Sequence, residues 1–396
     1  MLKNYLYMKI LAINGGTSGS SWNICCSVLR FAQMNGHDVF VATPSEKPDN
    51  FKGNYYQIGN KISRYLHRLI TKLNGSDGFC NNGETRKLIK HISSIKPDIV
   101  HLHTLHGYFI NIQILINYLK KMNVHLVITC HDCWWFTGRC AHFFSNKCDA
   151  WKNRKCKKCN YKNAYPKSLL FDRAAIFLEK KAKIFKDYQN LHIICVSDWL
   201  SNLCAQSYVF KGKNIQTIYN GIDINIFSLP HSNLTSARNK VISVAAQWNN
   251  SKGIDIIIEL ARKYDYLNFT IVGNLSNKIV LPANILNIPN VSNKEKLATL
   301  YQENHVFLNP SKQETFSLVN IEAQLCGLPV ICFNETGMKE TISPQSFALT
   351  NYSFEEFDKK LMSSLKKEFN KNEIREFAIK FSLQEMNGRY LKVYEE

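Results

Sequence analysis

Two glutamates, Glu314 and Glu322, stand with seven residues between them in the stretch NPSKQETFSLVNIEAQLCGLPVICF at 309–333. Carboxylates accept hydrogen bonds from hydroxyls, so a pair at this spacing can hold two separate parts of one sugar-bearing ligand. Apolar residues at Leu318, Ile321 and Leu325 recur at helical spacing, Thr315 or Ser317 ahead of them offers a cap, and Gly327 with Pro329 ends the run. A short amphipathic helix is predicted, carrying Glu322 and leaving Glu314 in the loop before it. The flanking runs HVFLN and PVICF are strand-length and continuously apolar, as central strands of a parallel sheet are. A loop between such a strand and a helix N-terminus presents backbone N–H groups and the positive end of the helix dipole, which suits a phosphate. The same residues also fit an ordinary crossover helix with two solvated glutamates.

Histidines form a second group. His101 and His103 alternate onto one face of a predicted strand, PDIVHLH at 97–103, and His106 lies just beyond it. No carboxylate accompanies the pair, which disfavours a metal there; His103 and His106 are expected to line a cleft at the strand's carboxyl end. His131, followed by Asp132, ends the strand VHLVITC at 124–130, where an imidazole can hydrogen-bond a sugar hydroxyl or a developing charge. The loop GGTSG at 15–19 follows the first strand, MKILAIN, and its glycines either admit a phosphate or sugar or make a tight turn. It lacks the full G-x-G-x-x-G spacing, and no suitably placed acidic residue follows the next strand, which counts against a nicotinamide cofactor.

Cysteines form a third group. Thirteen of them without a secretory signal point to reduced thiols, most of them small core residues. Cys140, Cys148, Cys156 and Cys159 differ, at spacings x7, x7 and x2 in a polar, aromatic, lysine-rich insertion at about 133–165. Such a segment lacks an apolar core of its own, and four thiolates around a zinc ion would hold it together; unliganded thiols or paired cysteines are the alternatives. Trp134, Trp135 and Trp151 either wall a sugar acceptor or pack within the insertion.

The elements that must position these groups alternate strand and helix. Strands are predicted at 8–14, 37–42, 97–103, 124–130, 191–197 and 215–219, with helices at 22–33, 168–188 and 198–207. A polar stretch at 228–239 reads as a linker, and a second series follows: strand 240–246, helix 254–263, strand 268–273, the central unit, and helices at 354–368 and 372–396. At 396 residues the chain accommodates two domains, each with its own core. No apolar run is long enough to span a bilayer, and the first residues are too short for a signal peptide, so a cytoplasmic location is expected. The net charge of +19 calls for an anionic partner: nucleic acid, lipid headgroups or a diphosphate. Residues 61–72, KISRYLHRLITK, place Lys61, Arg64, Arg68 and Lys72 near one face, with Ile62, Leu66, Leu69 and Ile70 largely elsewhere, as a surface helix on an acidic membrane would; a solvated helix in a lysine-rich chain is the alternative.

The E-x7-E pair ahead of an EA-x-x-x-G-x-P-V segment resembles the signature of the retaining GT-B glycosyltransferases of family 4. GGTSG at 15–19, HDCW at 131–134, Asn220-Gly221-Ile222-Asp223 and Ser251-Lys252-Gly253 agree with it in order and distance, and the resemblance covers nearly the whole chain. PDIVHLHTLHGYF, HDCWWFTGRC and Trp248 ahead of Lys-Gly are similar to the branch found in bacterial surface-polysaccharide assembly (colanic acid, O-antigen, capsule).

The resemblance implies an α/β GT-B fold, two Rossmann-like domains facing each other across a cleft. It sets an acceptor domain at 1–218, a nucleotide-sugar domain at 219–374, and a final helix at 375–396 that crosses back. It implies sugar transfer with retention, from a nucleotide-diphosphate sugar to a glycan or polyprenyl-diphosphate-linked acceptor, with no metal or other cofactor required for catalysis. Lys252 would bind the donor diphosphate; the family's arginine five residues earlier is Gln247 here, one charge fewer. Glu314 would orient the donor sugar and Glu322 the ribose. Thr315, Phe316 and Ser317 would form the helix N-terminus at the phosphates, with Gly16 and Gly273 close to the donor. The base would lie at 290–294, His131 near the anomeric carbon, and His103, His106, Asp132 and Asn220 along the cleft. The implied location is peripheral, on the inner face of the membrane. The rival readings are a sugar-nucleotide epimerase or hydrolase of the same fold and a basic, zinc-containing nucleic-acid binder; the α/β pattern argues against nucleic acid.

Overall fold

The computed structural model describes residues 7–49, 51–143, 148–156, 159, 165–230 and 238–396. Most of the linker expected at 228–239 and parts of the cysteine-rich insertion lie outside the described residues. The chain divides into two compact units, Met1–Tyr219 with Met386–Glu396, and Asn220–Glu385.

The first unit runs β1 (Lys9–Ile13), α1 (Gly19–Met34), β2 (Asp38–Thr43), β3 (Asn54–Gln57), α2 (Lys61–Asn74), α3 (Asn82–Ile95), β4 (Ile99–Leu102), α4 (Ile112–Lys121), β5 (His125–Cys130), α5 (Ala174–Phe185), β6 (Leu191–Cys195), α6 (Asp198–Gln206) and β7 (Ile215–Thr217). Its seven strands are parallel, in the order β3-β2-β1-β4-β5-β6-β7. β4 is buried at every position, as a strand covered by helices on both faces must be. The order reverses between β1 and β4, and the loops leaving the carboxyl ends of neighbouring strands diverge there into a crevice. GGTSG leaves β1, His103 follows β4 and His131 follows β5.

The second unit repeats the design with β8 (Lys240–Gln247), α7 (Ile254–Lys263), β9 (Asn268–Asn274), β10 (Ile285–Ile288), α8 (Lys294–Gln302), β11 (Val306–Asn309), α9 (Leu318–Leu325), β12 (Val330–Phe333), β13 (Phe347–Leu349), α10 (Phe354–Lys366) and α11 (Lys371–Ile379). Its six parallel strands are ordered β10-β9-β8-β11-β12-β13, so the reversal falls between β8 and β11. Lys252 follows the first of these strands and Glu314 the second. The fully buried Val241, Ile257, Leu260, Ile271, Leu308, Ile331 and Phe357 form its core.

Two helices differ from the sequence reading. The helix predicted at 168–188 starts only at Ala174, because the N–H groups of Leu169, Leu170 and Phe171 donate instead to the carbonyls of Lys72 and Leu73 at the end of α2. The helix predicted at 372–396 is two, α11 and α12 (Leu383–Glu395). Ile222 donates to the Phe381 carbonyl at 2.9 Å and accepts from the Leu383 N–H at 2.9 Å, and this bridge draws the chain out of helix. The end of α12 belongs to the first unit, where Tyr390 bonds the Thr129 hydroxyl at 3.0 Å.

Candidate active site

In the second unit, the turn after β8 is held by Asn249, whose side-chain oxygen accepts from the N–H groups of Ser251 at 2.9 Å and Lys252 at 3.2 Å. Gly253 closes the turn with φ of +71°, and a Cβ there would lie 2.2 Å from the Pro310 carbonyl, so only glycine fits. Lys252 thereby reaches across to the loop after β11 and forms an ion pair with Glu314. That loop is fixed at both ends of the Glu314 peptide: its N–H donates to the Thr336 hydroxyl at 3.2 Å and its carbonyl accepts from the Gly337 N–H at 3.0 Å.

Ser317 is the N-cap of α9, yet its side chain makes no capping bond. Its hydroxyl instead accepts from Asn309 at 3.1 Å; Asn309 also donates to Asn320 at 2.8 Å, and Asn320 to Thr341 at 2.9 Å. This buried polar network anchors the helix that carries Glu322. Phe316 is buried, edge-on to Phe381 at 5.5 Å, and Thr315 is half-buried beside it. Glu322 is 3% exposed, with one oxygen 2.6 Å from Lys294 and the other accepting from Tyr301 at 3.1 Å. Its carboxylate is therefore built into a three-residue cluster rather than solvated.

Lys294 and Tyr301, on α8, were invisible as partners of Glu322, because α8 itself was not recognised. Gly273 has φ of +133°, and a Cβ there would meet the Ala245 carbonyl at 1.8 Å, so its glycine serves the close approach of β8 and β9. Gln247 ends β8 exposed to solvent. Asn220, the first residue of this unit, is 5% exposed, and its side-chain oxygen has no hydrogen-bond partner among the described residues.

The first unit builds a stack of imidazoles. His101 and His103 lie 4.0 Å apart, ring centre to ring centre, and His103 Nδ1 is 3.0 Å from His131 Nε2. Both nitrogens of His101 are taken by hydroxyls, Tyr394 at 2.6 Å and Thr129 at 2.7 Å, which leaves none for a metal. Burial, with neighbouring imidazoles adding to it, holds His101 at about 3 and His103 well below the ordinary histidine value. Burial likewise lowers His131 to about 4, against the opposing pull of Asp132. All three are neutral at pH 7, so His131 offers hydrogen bonds and not a standing positive charge.

His106 is the contrast. Burial lowers its pKa, but Asp132 at 2.7 Å outweighs burial and raises it above the ordinary value. Burial works against Asp132 too, yet His106 and the Trp134 N–H at 2.8 Å bring it down to about 2. Tyr165 hydroxyl sits 3.0 Å from the other nitrogen of His106, a contact from the far end of the insertion that sequence spacing does not signal. In the GGTSG loop the crowded glycine is Gly15, whose Cβ would meet the Thr104 carbonyl at 2.8 Å; Gly16 has only the Ser45 hydroxyl at 3.8 Å.

The tryptophans expected either to wall an acceptor or to pack are buried at 1–2% exposure, within the insertion and its base. The four insertion cysteines are half-buried and unpaired by disulfides. Among the described residues, the cysteines whose sulfurs lie within 4.8 Å of one another as a group of three are instead Cys130, Cys195 and Cys204.

Comparison with known proteins agrees over the length of the chain. Residues 24–226 match the profile described as Glycosyltransferase Family 4, and residues 228–381 that described as Glycosyl transferases group 1. The putative colanic acid biosynthesis glycosyl transferase WcaC of Escherichia coli K12 is 24% identical over 353 residues, 86% of this chain and 85% of the relative. Among solved structures, a glycosyltransferase from Rickettsia africae superposes with a TM-score of 0.70 at 16% identity, covering 99% of this chain and 98% of its own. Anabaena HepE in complex with UDP-glucose superposes at 0.65 with 14% identity, covering 98% and 100%. The two parallel sheets are those of the GT-B fold. The chain belongs to glycosyltransferase family 4.

Proposed function

We propose that this glycosyltransferase moves a hexosyl group, with retention, from a nucleotide-diphosphate sugar to a polyprenyl-diphosphate-linked glycan during assembly of a bacterial surface polysaccharide. The observation that carries the reading is the Lys252–Glu314 pair, set at the carboxyl ends of β8 and β11 where the strand order reverses. The WcaC relative supports the polysaccharide setting, and the UDP-glucose complex of HepE supports the donor class.

Transfer expels a nucleoside diphosphate, so negative charge develops on the leaving phosphate. Lys252 turns from Glu314 to that phosphate, and the N-terminus of α9 at 315–317 adds its dipole; both are in place before charge develops. Glu314, released, accepts hydrogen bonds from the donor sugar's hydroxyls. Glu322, with lone pairs remaining beside Lys294 and Tyr301, takes the ribose, and the base lies toward 290–294. Neutral His131, backed by His103, hydrogen-bonds the sugar near its anomeric carbon, and His106, Asp132 and Asn220 serve the acceptor. The leaving phosphate takes the acceptor's proton, so no protein nucleophile and no metal enters the step.

The test is consumption of a panel of nucleotide sugars with membrane extract as acceptor, run beside Glu314→Ala and Lys252→Ala. One donor consumed by the unaltered protein alone supports the reading. Activity unchanged in both variants overturns it, and donor loss without acceptor would mark a hydrolase or epimerase.

The same proposal includes a peripheral site on an anionic membrane. α2 buries only His67 and Thr71, the reverse of an ordinary surface helix, and leaves Ile62 71%, Tyr65 60%, Leu66 53% and Leu73 49% exposed. Leu169, Leu170 and Phe171, hydrogen-bonded to its last turn, extend the apolar surface at 51–64% exposure. With Lys61, Arg64, Arg68 and Lys72 on the same helix, apolar insertion and charge attraction act together. No helix among the described residues is long and apolar enough to cross a membrane. The protein is expected to float with acidic liposomes, and Leu66→Asp with Phe171→Asp to stay in the soluble fraction; equal sedimentation of both removes the membrane site.

A further inference from the structure

The cysteine-rich insertion has little regular structure to hold it. Between β5 and α5 the described residues contain one short 3-10 turn, Trp134–Phe136, and otherwise loops. Its backbone is nevertheless pinned at the points that carry thiols. The Thr137 hydroxyl donates to the Cys140 carbonyl at 2.7 Å, the Trp151 indole N–H donates to the Cys148 carbonyl at 2.8 Å, and the Cys159 N–H donates to Asp172. Trp151 itself is buried against Phe136 and Phe143. The thiols converge from these three anchors: Cys140 and Cys159 hydrogen-bond each other, and Cys156 lies within electrostatic reach of Cys140, Cys148 and Cys159.

Without a metal, the Cys159 contact and burial hold the Cys140 thiol well above its ordinary value and burial raises Cys156 to about 11, but two surrounding features act in favour of thiolates. The Gly138 N–H donates to the Cys156 sulfur, the kind of outer-shell bond that orients a metal-bound thiolate. Two basic side chains are buried alongside: Lys181 at 0% exposure, which burial lowers to about 7 and which acts on Cys140 and Cys156, and Arg139 at 2%, acting on Cys140. Lys181 donates to the carbonyls of Trp134 and Thr137 and covers the Trp134 ring at 3.9 Å, while the carboxylates it feels at longer range, Asp77 and Asp132, are held by other partners. A buried ammonium bonded only to neutral carbonyls is costly without nearby negative charge. Four thiolates on a divalent cation carry a net charge of −2, which two buried cations balance.

We infer that Cys140, Cys148, Cys156 and Cys159 bind one structural zinc ion, with Lys181 and Arg139 as its charge-balancing outer shell. No three of these sulfurs lie within 4.8 Å of one another, so binding requires side-chain rotation to close the shell. Their half-exposure gives an ion a route in. The compact trio Cys130, Cys195 and Cys204 is the less suitable metal site despite its tighter geometry. It is fully buried, and the neighbours that act on it are its own thiols, Ser201, Tyr390 and Asp132. A zinc-tied insertion would also fix the segment that brings Tyr165 to His106.

The test is metal analysis of the full-length protein by inductively coupled plasma mass spectrometry, followed by replacement with Co²⁺. One zinc per chain and a cobalt spectrum with a strong thiolate charge-transfer band and the visible bands of a tetrahedral site are expected. Cys148→Ser combined with Cys156→Ser should abolish both, Cys204→Ser should leave both intact, and Lys181→Met should weaken retention against a chelator by roughly 10- to 100-fold. Absence of bound zinc together with absence of a thiolate–cobalt band in the unaltered protein overturns the inference, even if the cysteine variants fail to fold. Metal that survives the double variant and is lost in Cys204→Ser overturns it in favour of the buried trio.

Discussion

The two units present their candidate residues at the same place in the same kind of sheet and treat charge in opposite ways. In the second, Lys252 and Glu314 remain 31% and 22% exposed and pair with each other, and Glu322 is buried only because Lys294 and Tyr301 come with it. In the first, burial strips His101, His103 and His131 of charge, while Asp132 holds the neighbouring His106 above the ordinary histidine value. Under the proposed function, Lys252 exchanges Glu314 for the donor's diphosphate on binding and is in place before charge develops, while the sugar is oriented by fixed, neutral hydrogen-bonding groups. The two sites differ in how deeply the strand-end side chains are set.

The strongest way to break this comparison is to remove the mobile cation. Lys252→Ala is expected to lower transfer by about 10²- to 10³-fold, the range for losing one preorganised charge partner of a leaving group, with Lys252→Arg recovering part of it. Turnover under saturating donor is the measurement; a change in KM alone would place Lys252 in ground-state binding. In the first unit, His131→Ala removes one neutral hydrogen bond and should cost roughly 10- to 100-fold in turnover while leaving the Kd for nucleoside diphosphate within about twofold. An equal loss of nucleotide affinity would show that the imidazole stack does not act separately from the donor site.

Glu322→Ala sharpens the second unit's side. It leaves the buried Tyr301 hydroxyl without its acceptor and Lys294 without its partner, a loss of about 1–3 kcal/mol in folding stability. Glu322→Gln keeps an acceptor for Tyr301 and should restore most of the stability while still weakening ribose binding. Thermal melts and nucleotide titrations of the two variants separate the structural from the binding contribution.

What the sequence discloses follows from where the information is local. The helix at 318–325 and its flanking strands are legible because apolar period, cap and stop all fall within one short stretch, and observed α9 is that helix. The motif glutamates, Lys252 and His131 are proposed from their residue types and the family resemblance. The pairing of Lys252 with Glu314 was not, since it spans 62 residues and depends on β8 lying beside β11. His106 with Tyr165, 59 residues apart, and Glu322 with Tyr301 are hidden for the same reason. The break between α11 and α12 is also non-local, imposed by the backbone of Ile222, and so is the late start of α5, imposed by α2. Neutrality of the histidines is a property of burial depth, which strand alternation suggests for His101 and His103 without fixing its extent.

The smallest expected effect tests that neutrality most directly. If His131 titrates at about 4, His131→Gln should remove no limb from the rate profile between pH 8 and about 5.5, and any limb above the ordinary histidine value belongs to His106, whose pKa Asp132 raises. Stability should change over the same interval, and its sign follows from linkage. An imidazole whose folded pKa lies below its unfolded value binds its proton more readily in the unfolded chain, so stability is full above pH 6.5 and is lost as pH falls toward 4. Each pH unit within that window costs about 1.4 kcal/mol per such histidine, and His101, lowered further, extends the loss to lower pH. The His106–Asp132 pair behaves in the opposite way. The raised His106 contributes fully below its unfolded pKa and fades as pH rises through its folded one, while Asp132 contributes above its unfolded 3.8 and fades toward about 2. Its contribution is therefore greatest between about pH 4 and 6.5, where it partly offsets the buried stack. A melting temperature that falls between pH 6.5 and 5, steeply in the unaltered protein and less so in His131→Gln, is the outcome expected. A limb at 6.5 that disappears in His131→Gln would mean that His131 carries charge during turnover, and the contrast between the two units would collapse.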